Sequence, residues 1–309
     1  KITTSSLTMA EYFANAGWKD ILVAFPVNIL EIDSINILAS KIDLSLLIES
    51  DDTLNFLVKY LTSKVRISIK IDAGYHRTGI AWNNFDTIQS LIELISRSDN
   101  MEFTGFVTHS GQTYQAKSSA EIIQIHHESL RKLSKLKTHF TSERLIPCIS
   151  IGDTPSCSIS DTFEGIDEIR PGNFVFYDVM QSELGSCEIK DIAVALACPV
   201  VAVHPERNEA VIYGGAIHLS KEYILDAHGN KVFGLVALLS EEGWTEPLPG
   251  NFVSALSQEH GIISLSKENL SAIKPGDVIC VLPIHSCLAA HHMRSFTTLQ
   301  GKQIATMNS

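Results

Sequence analysis

From Lys1 to about Asp178 the chain alternates short apolar runs of β character with longer amphipathic stretches, and this alternation constrains the fold more than any other feature. The β-like runs are Ile2–Ser5, Asp20–Phe25, Asp43–Ile48, Val65–Asp72, Phe103–His109, Pro147–Ile151 and Ile166–Phe176. Helical periodicity lies between them, in Leu7–Ala16, Thr53–Leu61, Phe85–Ser96 and Ala120–Leu136. Strands alternating with helices predict βαβ units on a parallel sheet, joined by right-handed crossovers. Seven strands can be counted, whereas a closed parallel barrel has eight. The chain opens directly on a β-like segment. The pattern therefore fits a (β/α)8 TIM-type barrel whose first βα unit precedes Lys1. An open doubly wound sheet is the competing architecture.

After about Asp178 the period changes. Ala193–His204, Glu209–Tyr213, Val232–Leu239, Asn251–Leu256, Ile262–Leu265 and Asp277–Leu282 read as strands, separated by turn chemistry at Pro205–Asn208, His228–Asn230 and Pro247–Gly250. Long helices are not expected here. The reading is α/β overall, with a barrel domain over residues 1–182 and an antiparallel β domain over 183–309. No internal repeat or low-complexity tract interrupts either.

Hydrophobic residues make up 45% and charged residues 19% of the 309, as in a well-cored globular protein. The net charge of −11 repels phosphate backbones and anionic lipid, which argues against nucleic-acid and membrane partners. No apolar run reaches the ~18 residues that span a bilayer. The opening Lys1-Ile2-Thr3-Thr4 lacks the h-region of a signal peptide and an initiator Met, so further residues are expected before it. The six cysteines (Cys148, Cys157, Cys187, Cys198, Cys280 and Cys287) form no CxxC pair and read as buried reduced thiols of a cytoplasmic protein.

Several predicted strands end in polar, Gly-rich loops, where a barrel of this kind places its site. Lys70-Ile71-Asp72-Ala73-Gly74-Tyr75-His76-Arg77-Thr78-Gly79 frames a His-Arg pair between glycines; a solvated loop Arg is the plain alternative. Thr108-His109-Ser110-Gly111-Gln112-Thr113-Tyr114 puts a His at a strand end, able to stack on a planar ligand or titrate near neutrality. Ser150-Ile151-Gly152-Asp153-Thr154-Pro155-Ser156 and Arg170-Pro171-Gly172-Asn173-Phe174-Val175-Phe176-Tyr177-Asp178 follow strands seven and eight of the expected barrel, where phosphate is often bound. Small residues there expose backbone N–H groups, and hydroxyls add donors. In the β domain, Pro283-Ile284-His285-Ser286-Cys287 closes an apolar strand with an imidazole and a thiol two residues apart, which therefore point to the same face. That pair suits Zn²⁺ and leaves coordination positions open for water or substrate. Nearby His291 and His292 read as surface residues.

Taken in order, KIDAGYHRTG (70–79), THSGQTY (108–114), SIGDTPS (150–156), EIRPGNFVFYD (168–178), SQEHG (257–261) and PIHSC (283–287) resemble the fold-type III pyridoxal-phosphate (PLP) enzymes with an alanine racemase-like barrel. The branch resembled is that of D-serine dehydratase, D-threonine aldolase and D-3-hydroxyaspartate dehydratase. The resemblance implies a PLP barrel, a C-terminal β domain and a homodimer acting on a small D-amino acid. It implies that Arg77 faces the cofactor's phenolic oxygen and that His109 and Tyr114 lie at its pyridine ring. Gly152, Thr154, Gly172, Asn173 and Tyr177 would surround its phosphate, and His285 and Cys287 would hold a divalent metal, with Zn²⁺ favoured. The family's imine-forming lysine lies in a motif absent here and is expected upstream of Lys1; Lys70 matches a lysine that supports the neighbouring Arg. Asp153 departs from the Ser usual at that place, and must point away from a phosphate or bind it through a neighbour.

On this basis the expected activity is that of a PLP- and metal-dependent lyase on D-3-hydroxy amino acids, giving keto acid and ammonia. His-x-Cys, rather than the His-x-Asp of the aldolases, favours dehydration over a D-threonine aldolase-like C–C cleavage. A non-catalytic PLP-binding barrel and a metal-only barrel hydrolase are the readings from other classes. The attached β domain with its His-x-Cys pair weighs against the first; the second requires more barrel carboxylates and histidines.

Overall fold

The computed structural model describes every residue except Arg144, Asn308 and Ser309. The chain divides into two compact units, Lys1–Gly172 and Asn173–Ser309. The change of sequence pattern suggests a boundary at 182/183. The contacts place it earlier because Tyr177, Val179 and Met180 share an apolar cluster with Val232, Leu282 and Ile284.

In the first unit, strands β1 (Ile2–Thr4), β2 (Asp20–Pro26), β3 (Asp43–Ile48), β4 (Val65–Asp72), β5 (Met101–Val107), β6 (Cys148–Ile151) and β7 (Glu168–Ile169) pair in chain order. Every step is parallel. A doubly wound sheet reverses its strand order at a switch point; this sheet does not. Among the described residues β1 and β7 are its edges, and an ion pair of 2.6 Å from Lys1 to Glu168 links them, so the arc curls on itself as a TIM-type barrel does.

Side-chain alternation explains the two faces. Along β4, Ile67, Ile69 and Ile71 pack in one core with Leu54, Leu57, Ile88 and Leu91 from the helices. Period two then turns Ser68 and Lys70 to the inner face. Leu22, Leu47 and Val107, which alternate with members of that core, form a separate inner layer. Helices α1 (Leu7–Asn15), α2 (Ile32–Ala39), α3 (Asp51–Tyr60), α4 (Phe85–Ser96) and α5 (Ser119–Phe140) cover the outside. In α4 the buried positions Ile88, Leu91, Ile92 and Ile95 recur at helical spacing. Ser6, Ser50, Asn84 and Ser118 cap α1, α3, α4 and α5 by accepting amide hydrogens, a contribution of about 1 kcal/mol each. Gly105, with φ +152°, sits where a Cβ would meet the Cys148 carbonyl oxygen at 2.0 Å; only glycine lets β5 and β6 approach there.

Two expectations change. The helix α2 was not foreseen. The run Ile166–Phe176 shrinks to the short β7, because Pro171 has no N–H for a ladder and Asn173–Val175 forms a 3-10 turn instead.

In the second unit, β8 (Leu196–His204), β9 (Glu209–Tyr213), β10 (Gly234–Ser240), β11 (Phe252–Leu256), β12 (His260–Ser264) and β13 (Val278–Pro283) run in the order β10-β11-β12-β9-β8-β13. Antiparallel pairing of β10 with β13 closes them into a barrel. In β8, Leu196, Cys198 and Val200 are buried while Ala197 and Pro199 are exposed, the alternation of a sheet with one covered face. Helices α6 (Thr154–Ile159), in the first unit, and α7 (Val179–Glu183) and α8 (Ser286–Met293), in the second, all follow motif loops. No described helix is long and apolar enough to cross a membrane. All six cysteines are free thiols; Cys198 and Cys280 are buried, and the other four are half-buried rather than fully so.

Candidate active site

In the first unit the carboxyl ends of β4, β5, β6 and β7 are tied to one another. Thr108 donates through Oγ1 to the Ile71 carbonyl at 2.8 Å and through its N–H to the Ser150 carbonyl at 3.0 Å. Arg170, just past β7, donates to the Thr108 carbonyl (2.7 Å), the Ser150 carbonyl (3.0 Å) and Ser150 Oγ (2.7 Å). Its partners are all uncharged oxygens, and burial lowers its pKa to about 10.

Lys70 reaches the same end of the inner face and is 6% exposed. Burial lowers its pKa to about 7, helped by Arg170 and Arg77 and opposed by Glu49 and Asp72. Asp72 meanwhile organises the loop beyond β4: Oδ1 accepts the N–H groups of Gly74, Tyr75 and His76, and Oδ2 lies 2.7 Å from His76 Nδ1. His76 takes a left-handed φ of 59° within that turn. Arg77 follows, exposed and stacked over the Tyr75 ring at 5.0 Å. Tyr75 in turn packs on Gly111, where a Cβ would meet the ring at 2.3 Å.

His109 is fixed by a short hydrogen bond between Nδ1 and the Gly152 carbonyl. A carbonyl only accepts, so Nδ1 carries the proton and Nε2 presents a lone pair. Burial lowers the His109 pKa to about 4, with the charges of Lys70, Arg77 and Arg170 adding to it. The imidazole is neutral at pH 7. The Tyr114 ring lies 6.2 Å away at 35°, and its hydroxyl oxygen accepts the Thr154 N–H at 3.2 Å. Asp153, 2% exposed, turns away into its own helix. Its Oδ1 accepts Ser156 N–H (2.8 Å) and Thr113 Oγ1–H (2.9 Å), while burial raises its pKa. The unit thus brings Arg77, His109, Tyr114, Gly152 and Thr154 to one set of strand ends, and Gly172 ends it with open space around its Cα.

A second cluster lies in the second unit. His285 and Cys287 do not share a strand face. The strand stops at Pro283, His285 is the N-cap of α8, and Cys287 stands in its first turn. A helical turn, not a period of two, sets their relation. Cys287 Sγ lies 3.5 Å from Asn173 Oδ1, and burial raises its thiol pKa to about 11. Asn173 Nδ2 donates to Asp178 Oδ2 at 2.5 Å. The Tyr177 carbonyl accepts Ser286 Oγ–H, and Tyr177 takes a left-handed φ of 47°. Asn173 and Tyr177, which the resemblance assigns to a phosphate, also contact Cys287 and Ser286. Among the described residues no group of three or more His, Cys, Asp or Glu is arranged to hold a metal ion. His291 and His292 are exposed on the last turn of α8. Sequence reasoning gave no role to Asp178 or Arg170; only their burial singles them out.

Comparison with known proteins follows the same two units. Residues 3–179 match the alanine racemase N-terminal domain, and residues 193–299 match the putative serine dehydratase domain. D-serine dehydratase of Dictyostelium discoideum is 30% identical over 94% of this chain and 76% of its own length. D-threo-3-hydroxyaspartate dehydratase of Delftia sp. is 23% identical over 96% and 80%. A cysteine-to-alanine variant of that enzyme, solved in a metal-free form, superposes with a TM-score of 0.89 at 21% identity, over 98% of this chain and 82% of the other. An alanine racemase-like protein from Idiomarina loihiensis gives 0.87 at 23%, over 99% and 83%.

Proposed function

This chain belongs to the serine dehydratase branch of the alanine racemase N-terminal-domain family, and from that membership we propose that it is a PLP-dependent lyase that dehydrates D-3-hydroxy amino acids to keto acid and ammonia. One observation carries the reading: the strand ends of the first unit hold a neutral imidazole and a tyrosine among Lys70, Arg77 and Arg170, in a field that Glu49 and Asp72 only partly offset. Flat rings within a surplus of cationic charge fit a planar, anionic cofactor. Arg77, His109 and Tyr114 would hold its ring, and Gly152, Thr154 and Gly172 its phosphate. When bound, PLP supplies the electron sink for the electron pair left at Cα.

The protein's own groups have defined tasks in this reading. His109 offers a lone pair without adding charge. Lys70, with a pKa about 7, exchanges a proton at Nζ near neutral pH. Arg77 is a permanent cation at the loop tip. In the second unit His285 Nδ1 is buried without a hydrogen-bond partner, beside a thiol; imidazole and thiolate are zinc donors, and two of them leave positions open. His285 and Cys287 would hold a divalent ion, which would supply Lewis acidity at that place. A homodimer belongs to the same proposal and is checked by sedimentation of the full-length protein.

The test uses full-length protein supplied with PLP and Zn²⁺. D-serine, D-threonine and D-threo-3-hydroxyaspartate are offered in turn, and keto acid, ammonia and aldehyde are measured. Keto acid with equimolar ammonia is the expected result. Glycine plus aldehyde would replace the dehydratase by an aldolase. A visible cofactor band with no product from any of the three would leave only binding.

A further inference from the structure

Among the described residues no cation lies within hydrogen-bonding distance of the buried carboxylate of Asp178. It is 1% exposed, and its donors are uncharged: Gln181 N–H on Oδ1 at 2.9 Å, and Asn173 Nδ2 (2.5 Å) and Ser286 N–H (3.0 Å) on Oδ2. The nearest imidazole is that of His285, whose Nδ1 stands 3.8 Å from Asp178 Oδ2. Nδ1 is itself buried without a partner, yet the His285 side chain as a whole is 33% accessible. The inner nitrogen therefore faces the carboxylate, and the rest of the ring faces outward. A buried polar atom without a partner is destabilising. A ring shift of about 1 Å brings the pair to hydrogen-bond distance.

We infer that Asp178 positions His285 for metal binding: Nδ1–H donates to the carboxylate, and Nε2 is left as the metal-facing donor. The inference rests on the metal reading given above and extends it from the two donors to the group that orients one of them. A carboxylate behind a ligating histidine fixes its tautomer and raises its basicity. Asp178 acts through His285, not as a ligand. Its oxygens are already engaged by three amide donors, and no third His, Cys, Asp or Glu completes a described metal group. The network also reaches the thiol, since Asn173 bridges Asp178 and Cys287. One carboxylate thereby sets both residues of the pair.

The test uses full-length protein stripped by a chelator and titrated with Co²⁺. It reads the thiolate-to-cobalt absorption band and the affinity against a competing chelator of known strength. Wild type should bind with that band. Asp178→Asn should bind about 10–100-fold more weakly. Ser286→Ala, which removes the bond to the Tyr177 carbonyl and leaves the His285–Asp178 pair, is the structural control and should keep wild-type affinity. Equal affinity in Asp178→Asn and wild type would overturn the inference, as would equal losses in Asp178→Asn and Ser286→Ala. No cobalt binding by wild type would instead remove the metal reading beneath it. Should Asp178→Asn fail to fold, ¹⁵N spectra of zinc-loaded wild type decide: zinc on Nε2 with a protonated Nδ1 of His285 is expected, and zinc on Nδ1 overturns it.

Discussion

At the strand ends of the first unit the cations Lys70 and Arg170 are buried along with one carboxylate, Asp153, which is turned into its own helix, whereas in the second unit the buried charge beside His285 is the carboxylate of Asp178. Both centres are assembled in the same way. Arg170 donates to two carbonyls and a hydroxyl, and Asp178 accepts from two backbone amides and a side-chain amide. Neutral partners satisfy the hydrogen bonds and leave the charge uncancelled, which is costly in a dry setting. Under the proposed function the two centres would take opposite partners: a flat anionic cofactor in the first unit and a divalent cation in the second.

The sharpest way to break this contrast is to remove a donor from one centre and watch the other. His285→Ala should lower metal affinity by more than about a hundredfold, beyond the 10–100-fold typical of supporting residues, while the cofactor's visible absorption stays; titration and spectra check both. Loss of the band as well would mean that the centres are not chemically separate. The next largest effect is a pH dependence that belongs to the first centre. Folding lowers the Lys70 pKa from 10.5 to about 7, so between those values the unfolded chain holds more protons and stability rises with pH. Below about 7 this contribution is flat. Lys70→Met should abolish the slope, and its urea-melt advantage over wild type should be larger at pH 6 than at pH 10, by an amount of order a few kcal/mol.

Arg77→Ala comes third. It should weaken PLP binding by about tenfold, the scale of one charged hydrogen bond, with metal affinity unchanged; equilibrium dialysis of both ligands tests this. The smallest effect is expected away from either centre. Glu168→Gln removes the ion pair to Lys1, whose side chains are 31% and 27% exposed, and should cost under about 1 kcal/mol by urea melt.

Much of this was legible in the sequence because it depends on local pattern. The run Val65–Asp72 and the helix Phe85–Ser96 have the bounds that alternation and helical spacing gave them, and sequential apolar runs separated by helices led to the barrel. The motif loops were recognisable from glycines and strand-end polar residues. Asp178 was quoted in a motif but given no role, because its importance comes from burial beside His285, 107 positions along the chain, and no spacing rule reaches that far. The relation of Cys287 to His285 was misjudged for a simpler reason: both strand and helix allow the spacing, and the helix start lies at Ser286. The depressed pKa of Lys70 was equally out of reach, since it depends on which charges the fold gathers around it.

Strand β13 is hydrogen-bonded along both sides, to β10 and to β8. Such a strand has no free edge, and its amides are released to deuterium only when the closed barrel opens as a whole. Ile284 alone separates that strand from His285. The imidazole is therefore moored to a backbone paired on both sides, whereas Arg77 rides on an exposed loop. Under the proposed function, changes in that loop would alter the grip on the cofactor while the histidine keeps its place.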